Sequence, residues 1–366
     1  MKVCSNCKFE FDSKYSFCPK CGSRLVDNIS NIKEEHIKNE NEPLTVPIDN
    51  SSEKTGYDFN KKTITVALAI LIIVFFTIFS YASSNQDFKF KLYDIGILEP
   101  STAEEQYDYA YKLANEDKNY KEAFKWYKIS AESGNPSAQN NLGVLYASGN
   151  GVDKDDKEAF KWFLKSAEQG NDVAQCNVAN NYLNGTGIIK NREEAKIWLK
   201  KSADNHNTKA QAQYGFELWL DRDYINAAKY LKLASDSNNS FAQRMLGEFY
   251  LWGYGDIKKD HKKAFELYKK SADQNDAIGL REVAKCYECG YGVEENQIEA
   301  SKYYNEAAEK GDKYAMRLLA FRYLDGKGVD RDYNKAREWL KKCGEENPDR
   351  LIQGHEQLKN LNFGSN

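Results

Sequence analysis

Four of the chain's eight cysteines stand in the first 21 residues, as Cys4-x-x-Cys7 and Cys18-x-x-Cys21 with ten residues between the pairs. Four thiolates at that spacing form a tetrahedral Zn(II) donor set, because a two-residue gap lets both thiols of one tight turn face the same ion. With cysteine at all four positions no coordination site is left for a catalytic water, so the role is structural. A segment this short has almost no core, and metal binding must supply most of its folding energy, about 10–16 kcal/mol in comparable peptides. Between the pairs, "FEFDSKYSF" alternates apolar and polar residues as a short hairpin does. Two disulfides in an oxidising compartment are the alternative use of the same thiols.

Around the phrase "FCPKCG" the segment resembles the small zinc-ribbon domains at the head of many bacterial membrane proteins, departing from them at Lys8, where a glycine commonly follows the first knuckle. Lys2, Lys8, Lys14, Lys20 and Arg24 are interrupted by Glu10 and Asp12, so no basic stripe forms. A net charge of -3 with 29% charged residues likewise excludes a general nucleic-acid binder. The remaining groups that could do chemistry do not cluster. His36, His206, His261 and His355 show no metal spacing, and carboxylate pairs recur on every polar helix face. Cys286-x-x-Cys289 lies near the end of a helix, where two small packed residues account for it better than a redox motif. Catalytic residues are therefore not expected, nor is a small-molecule substrate.

These groups need elements to hold them. Residues 26–62 are rich in Asn, Glu, Lys and Ser with little apolar periodicity, and cannot bury enough surface to order themselves. As a flexible coil this linker spans roughly 30–35 Å on average. Residues 63–82, "TITVALAILIIVFFTIFSYA", carry no charge over a length that matches the roughly 30 Å hydrocarbon core of a bilayer, which predicts a single transmembrane helix. A buried core helix rarely lacks a polar face over five turns. Ser80-Tyr81-Ala82 looks like a cleavage triplet, but sixty residues precede the apolar run, far more than a signal peptide's n-region. Lys54, Lys61 and Lys62 on one flank against Lys89 and Lys91 on the other favour a cytoplasmic N-terminus, as do thiolates that survive best in a reducing compartment. The repeats would then lie outside the cytoplasm, beyond a juxtamembrane linker at 83–102.

The rest of the chain is periodic. "AQNNLGVLYASGNGV" at 138 has copies at 174, 242, 279 and 315, each followed by a partner such as "EAFKWFLKSAEQGN". A period of about 36 residues is the mark of a solenoid. Ala138, Leu142 and Tyr146 make one apolar helical stripe and Ala159, Phe163 and Ala167 the next, so each unit is two helices that bury their faces only by stacking. Units near 104–135 and 210–239 have a shorter turn. Gly149 and Gly151 follow a helix and recur in five copies, whereas a phosphate loop follows a strand and occurs once. They read as punctuation: the first ends a helix and the second lets the chain reverse.

This pattern of Ala, Leu-Gly, Tyr, Gly-x-Gly-Val, Ala, Trp/Tyr, Ala and Gly closely resembles the Sel-one-like repeat, a relative of the tetratricopeptide repeat, over roughly 137–346. The resemblance implies a right-handed superhelix of helix pairs and a use as adaptor or scaffold in membrane-associated complexes. Some cysteine-rich relatives are linked to beta-lactam binding, but their regular cysteine pair is missing here. The expected fold class is all-α: an alpha-alpha superhelix of seven helix pairs over 103–346, a capping helix and tail over 347–366, a zinc ribbon over 1–25 and one transmembrane helix. A membrane-anchored scaffold is the expected function, with a nucleic-acid-binding ribbon or an envelope lactam-binding protein as alternatives.

In such a stack the first helices line the inner face, and positions two before and two after each Leu142 equivalent should project from it. These are Asn140 and Val144, Cys176 and Asn180, Ala212 and Phe216, Arg244 and Glu248, Arg281 and Lys285, and Arg317 and Phe321. Three arginines at one offset in successive units suit the carboxylates of an acidic or C-terminal peptide partner.

Overall fold

The computed structural model describes the backbone of residues 2–4, 10–11, 25–27 and 61–363, and the side chains of 68–357. It divides into two units, Met1–Thr77 and Ile78–Asn366. In the first, β1 (Lys2–Cys4) is the centre of an antiparallel three-stranded sheet, flanked by β2 (Glu10–Phe11) and β3 (Leu25–Asp27). Val3 pairs with Glu10 on one side and Val26 on the other, and Cys4 pairs with Leu25. The strand inside "FEFDSKYSF" thus finds its partner upstream in β1. Cys7, Cys18 and Cys21 lie outside the described residues, as does the linker before residue 61.

Helix α1 (Lys61–Ser84) is 24 residues long and carries the uncharged run. From Leu68 to Tyr81 its large apolar side chains are exposed: Leu71 is 65% accessible, Phe75 62% and Phe76 64%. Among the described residues no single helix is long and apolar enough to cross a membrane; Leu68–Ser84 and Gln86–Asp94 pass that test only as a pair, bent by 118°.

In the second unit, residues 83–102 are not the linker that the sequence predicts. They form α2 (Gln86–Asp94), capped by Asn85 and docked on the first repeat. Leu92 and Tyr93 are buried, the Tyr93 ring meets Tyr109 edge-on at 5.2 Å, and Lys89 pairs with Glu105. That ammonium, with hydrogen bonds from Ser101, holds the Glu105 carboxyl well below its ordinary range, at about 2. The linker reading failed because only alternate residues of "QDFKFKLYD" are apolar; the partner that buries them lies on the first repeat.

The repeats follow as pairs: α3 (Ala103–Asn115) with α4 (Tyr120–Glu132), α5 (Pro136–Ser148) with α6 (Asp156–Glu168), α7 (Asp172–Asn184) with α8 (Arg192–Asp204), and α9 (Thr208–Leu220) with α10 (Tyr224–Asp236). Then come α11 (Ser240–Trp252) with α12 (His261–Asp273), α13 (Ala277–Cys289) with α14 (Gln297–Glu309), and α15 (Lys313–Asp325) with α16 (Tyr333–Lys342). Finally α17 (Pro348–Phe363) lays Ile352 against the last pair's core. Each helix from α3 to α15 is 13 residues long, a length set by its stops. Thr102 caps α3, and an Asn or Asp starts every helix after it, from Asn119 to Asp332, each cap worth about 1 kcal/mol.

Inside each pair the second helix carries one large central side chain, Tyr127, Phe163, Leu199, Leu231, Tyr268, Tyr304 or Leu340, each almost wholly buried. Gly143 makes room for one of them: a Cβ there would stand 2.7 Å from the Phe163 ring. The loop glycines divide their work. Gly326 ends α15 in the left-handed region at φ 71°, whereas Gly328 is pressed against the first turn of α14 in the preceding repeat. A Cβ at Gly328 would overlap the Gln297 carbonyl, so the second glycine is a close-approach residue between repeats as well as a turn residue.

Candidate partner-binding face

First helices approach one another across repeat boundaries, α9 with α11 and α11 with α13, which puts them on the shorter-radius side of the stack. A ladder of polar side chains runs along this side, joining the second repeat to the third, the third to the fourth, the fifth to the sixth and the sixth to the seventh. Asn177 Nδ2 donates to Asn140 Oδ1 at 2.9 Å, and Gln213 Nε2 to Asn180 Oδ1 at 3.0 Å. These N-terminal rungs are neutral amides, and Asn140 is itself buried.

The C-terminal rungs are charged. Arg244 Nε donates to Asp276 Oδ2 at 3.3 Å, and Arg281 Nη1 to Asp312 Oδ2 at 2.8 Å. Asp276 and Asp312 are N-caps, their other oxygens taking the backbone N–H of Ile278 and Ala315. One carboxylate therefore caps a helix and receives the preceding repeat's arginine. Arg281 also holds Glu282, as does Lys285 at 3.0 Å. Both cations lie over the exposed Tyr314 ring, Arg281 at 5.2 Å and Lys285 at 5.8 Å. Burial, reinforced by the Glu282 charge, raises the Glu248 carboxyl above its ordinary range.

The third rung is different. Where Asp276 and Asp312 stand, the next element has Asn347, whose Oδ1 takes the Arg350 N–H. Arg317 is exposed and has no carboxylate partner among the described residues. One turn on, Phe321 meets His355 at a tilt of 41° with ring centres 5.1 Å apart, and His355 Nε2 is 2.9 Å from Asp325 Oδ1. Phe321, Arg350, Leu351 and His355 line an open cavity of about 620 Å³ between α15 and α17.

The twelve face positions thus differ in reach. Asn140, Cys176 and Ala212 are buried between helices. Asn180, Phe216, Arg244, Glu248, Arg281, Lys285 and Phe321 are half-buried, while Val144 and Arg317 are exposed. Phe216 is enclosed by Trp219 and Phe241, with ring centres at 5.7 and 5.6 Å.

Sequence reasoning missed the polar groups that lock the repeats. Gln139, Gln175 and Gln211 are buried and donate to the Ala131, Ala167 and Ala203 carbonyls of the preceding second helix at 3.1–3.3 Å. The "AQ" that recurs at 138, 174, 210 and 242 is their signal. Arg322, 3% exposed, is enclosed by Ser301, Glu288 and Gln297, which satisfy its guanidinium; it has no counterpart in other repeats to reveal it. Among the described residues no three His, Cys, Asp or Glu side chains are placed to hold a metal. Cys176, Cys286, Cys289 and Cys343 are free thiols, and burial pushes the Cys286 thiol up to about 12.

The model of the Sel1 repeat matches residues 106–135, 136–171, 172–207, 209–239, 240–276, 277–312 and 313–347, the seven pairs described above. Among solved structures, a Sel1 repeat protein from Oxalobacter formigenes is 31% identical with a TM-score of 0.62, over 66% of this chain and 97% of that one. The protective antigen c5321 of uropathogenic Escherichia coli, which displays an SLR fold, is 27% identical with a TM-score of 0.61, over 76% of this chain and 62% of that one. No curated protein matches. With matched repeats spanning more than half of its length, the chain belongs to the Sel1 repeat family and is a helical scaffold suited to protein–protein interaction.

Proposed function

We propose that this protein is a non-catalytic, membrane-anchored adaptor that holds an acidic protein or peptide on the inner face of its repeats. The observation that carries the reading is the interrupted arginine ladder. Two rungs are closed by the fold's own carboxylates, and the third, Arg317, is exposed to solvent one turn before Phe321. Phe321 lines an open cavity together with Arg350, Glu345 and Glu346. A partner carboxylate fits that rung, since a guanidinium fork binds carboxylates in pairs of parallel hydrogen bonds. Arg244 and Arg281 then serve to fix the stack, and Arg317 to meet the partner.

In the same reading α1 lies in the bilayer. Its ring of exposed apolar side chains supports this, because such a surface is costly to leave in water. The four-cysteine module is a second docking site built on Zn(II). The sheet register is compatible with it: β1 ends on Cys4, which pairs with Leu25 at the start of β3. Cys4, Cys7, Cys18 and Cys21 would hold the ion, which supplies folding energy and no reaction step. The module belongs on the cytoplasmic side and the repeats on the other.

Arg317→Glu is expected to abolish co-purification of the partner from the protein's own cells with no change in Tm, whereas Arg281→Ala lowers Tm. Full capture by Arg317→Glu would contradict the acidic-partner reading. For the N-terminal half, metal analysis should find about one zinc per chain, lost in Cys18→Ser, and protease outside intact cells should remove a C-terminal tag. A metal-free wild type or a protected tag would refute the corresponding assignment.

A further inference from the structure

Ile95 and Ile97 are 67% and 63% exposed in a segment that is otherwise tightly held. The backbone N–H groups of Ile95, Gly96, Ile97 and Leu98 are all bonded, to the Lys91, Tyr93, Leu92 and Leu92 carbonyls respectively. Gly96 turns the chain at φ 71°. Tyr93 before it and Leu98 after it pack into the first repeat's core, and Leu92 is buried. The two isoleucines are thus held outward on a short, rigid tip, with Lys91 exposed one turn before Ile95 on the same face of α2, which Asp87 begins.

The bend at Asn85 sets where this tip goes. Axes that differ by 118° mean that α2 runs back against the direction of α1. Nine residues at about 1.5 Å rise give α2 a length of about 13 Å, of which about 6 Å is return along the α1 axis. The three residues from Ala82 to Asn85 carry the chain about 4–5 Å past the end of the apolar run. The return therefore brings the tip back to about the level of Ala82, in the interfacial layer that flanks a bilayer's hydrocarbon core. A helix tilt of about 20° leaves α2 between flat on the surface and steeply returning.

We infer that the Ile95-Gly96-Ile97 tip seats in the lipid interface, making α2 an in-plane brace that fixes the first repeat against the bilayer. The inference rests on the anchoring of α1 proposed above. Lys91 would then lie among the headgroups with its ammonium toward anionic lipid. Since α2 is also packed on the first repeat through Tyr93, Tyr109 and the Lys89–Glu105 pair, a tip seated in the interface holds that repeat directly.

The test places a small fluorescent amino acid at Phe75, Ile97 or Ile189 of the full chain in nanodiscs containing bromine-labelled phospholipid. Ile189, 86% exposed on a repeat loop, is the solvent reference. Lipid quenching at 75 and 97, with 97 quenched most by bromine placed near the headgroup, is the expected result. Quenching at 75 with position 97 behaving like 189 would overturn the brace and leave the anchor standing. Position 97 shielded from aqueous iodide yet unquenched by lipid would mean that a protein, such as a second copy, covers the tip, and would also overturn it. No quenching at 75 would remove the anchor and the brace together.

Discussion

Two tyrosines at equivalent positions separate what a buried hydroxyl contributes from what its ring contributes. Tyr304 donates to Glu288 at 2.7 Å inside the network that encloses Arg322, while the buried Tyr268 hydroxyl closes no hydrogen bond of good geometry and only approaches the Glu248 carboxyl. Tyr304→Phe should cost about 1.5–3 kcal/mol in denaturant unfolding, as expected for a lost bond to a charged group, and Tyr268→Phe should be neutral to within about 0.5 kcal/mol. Equal losses would contradict this separation, and two neutral variants would show that the rings alone carry both sites. At this scale the sequence is readable where a residue type repeats: the buried glutamines sit at a fixed offset and their signal was on the page. Arg322 was illegible, because its partners come from α13 and α14 and only folding brings them together.

Helix boundaries were the most legible feature of the elements, since nearly every start is a local Asn or Asp cap and the first helix of five repeats ends on a left-handed glycine. What the second glycine of each loop does was legible only in part. Its turn could be inferred, but its contact with the preceding repeat is a property of stacking. Gly328→Ala should destabilise by at least about 2 kcal/mol, combining a left-handed Cβ with a carbonyl collision. Gly354→Ala, within α17 and facing open space, should stabilise by about 0.5–1 kcal/mol. Comparable Tm values for the two variants would contradict the close-approach role. Helix α2 escaped notice for the opposite reason: nine residues are too few for a periodic signal, and its apolar side is defined only by the repeat that covers it.

For the whole molecule, the seven-fold period carried the architecture, because a repeated apolar pattern has only stacking as a way to bury itself. The inner face was legible as a set of positions. Which of them can reach a partner was not, since whether Arg244, Arg281 and Arg317 are engaged depends on the cap residue one repeat away: Asp276, Asp312 or Asn347. The proposed docking site for a partner is this face, near its C-terminal end. The most direct test is in-cell photo-crosslinking with benzoylphenylalanine at Tyr314, exposed beside Arg281 and Lys285, against Lys161, exposed on the second helix of another repeat. A discrete adduct at 314 that is absent at 161, and lost when Arg317 is also changed to Glu, is the predicted result. The same adducts from both positions, or one at 314 that survives Arg317→Glu, would contradict it.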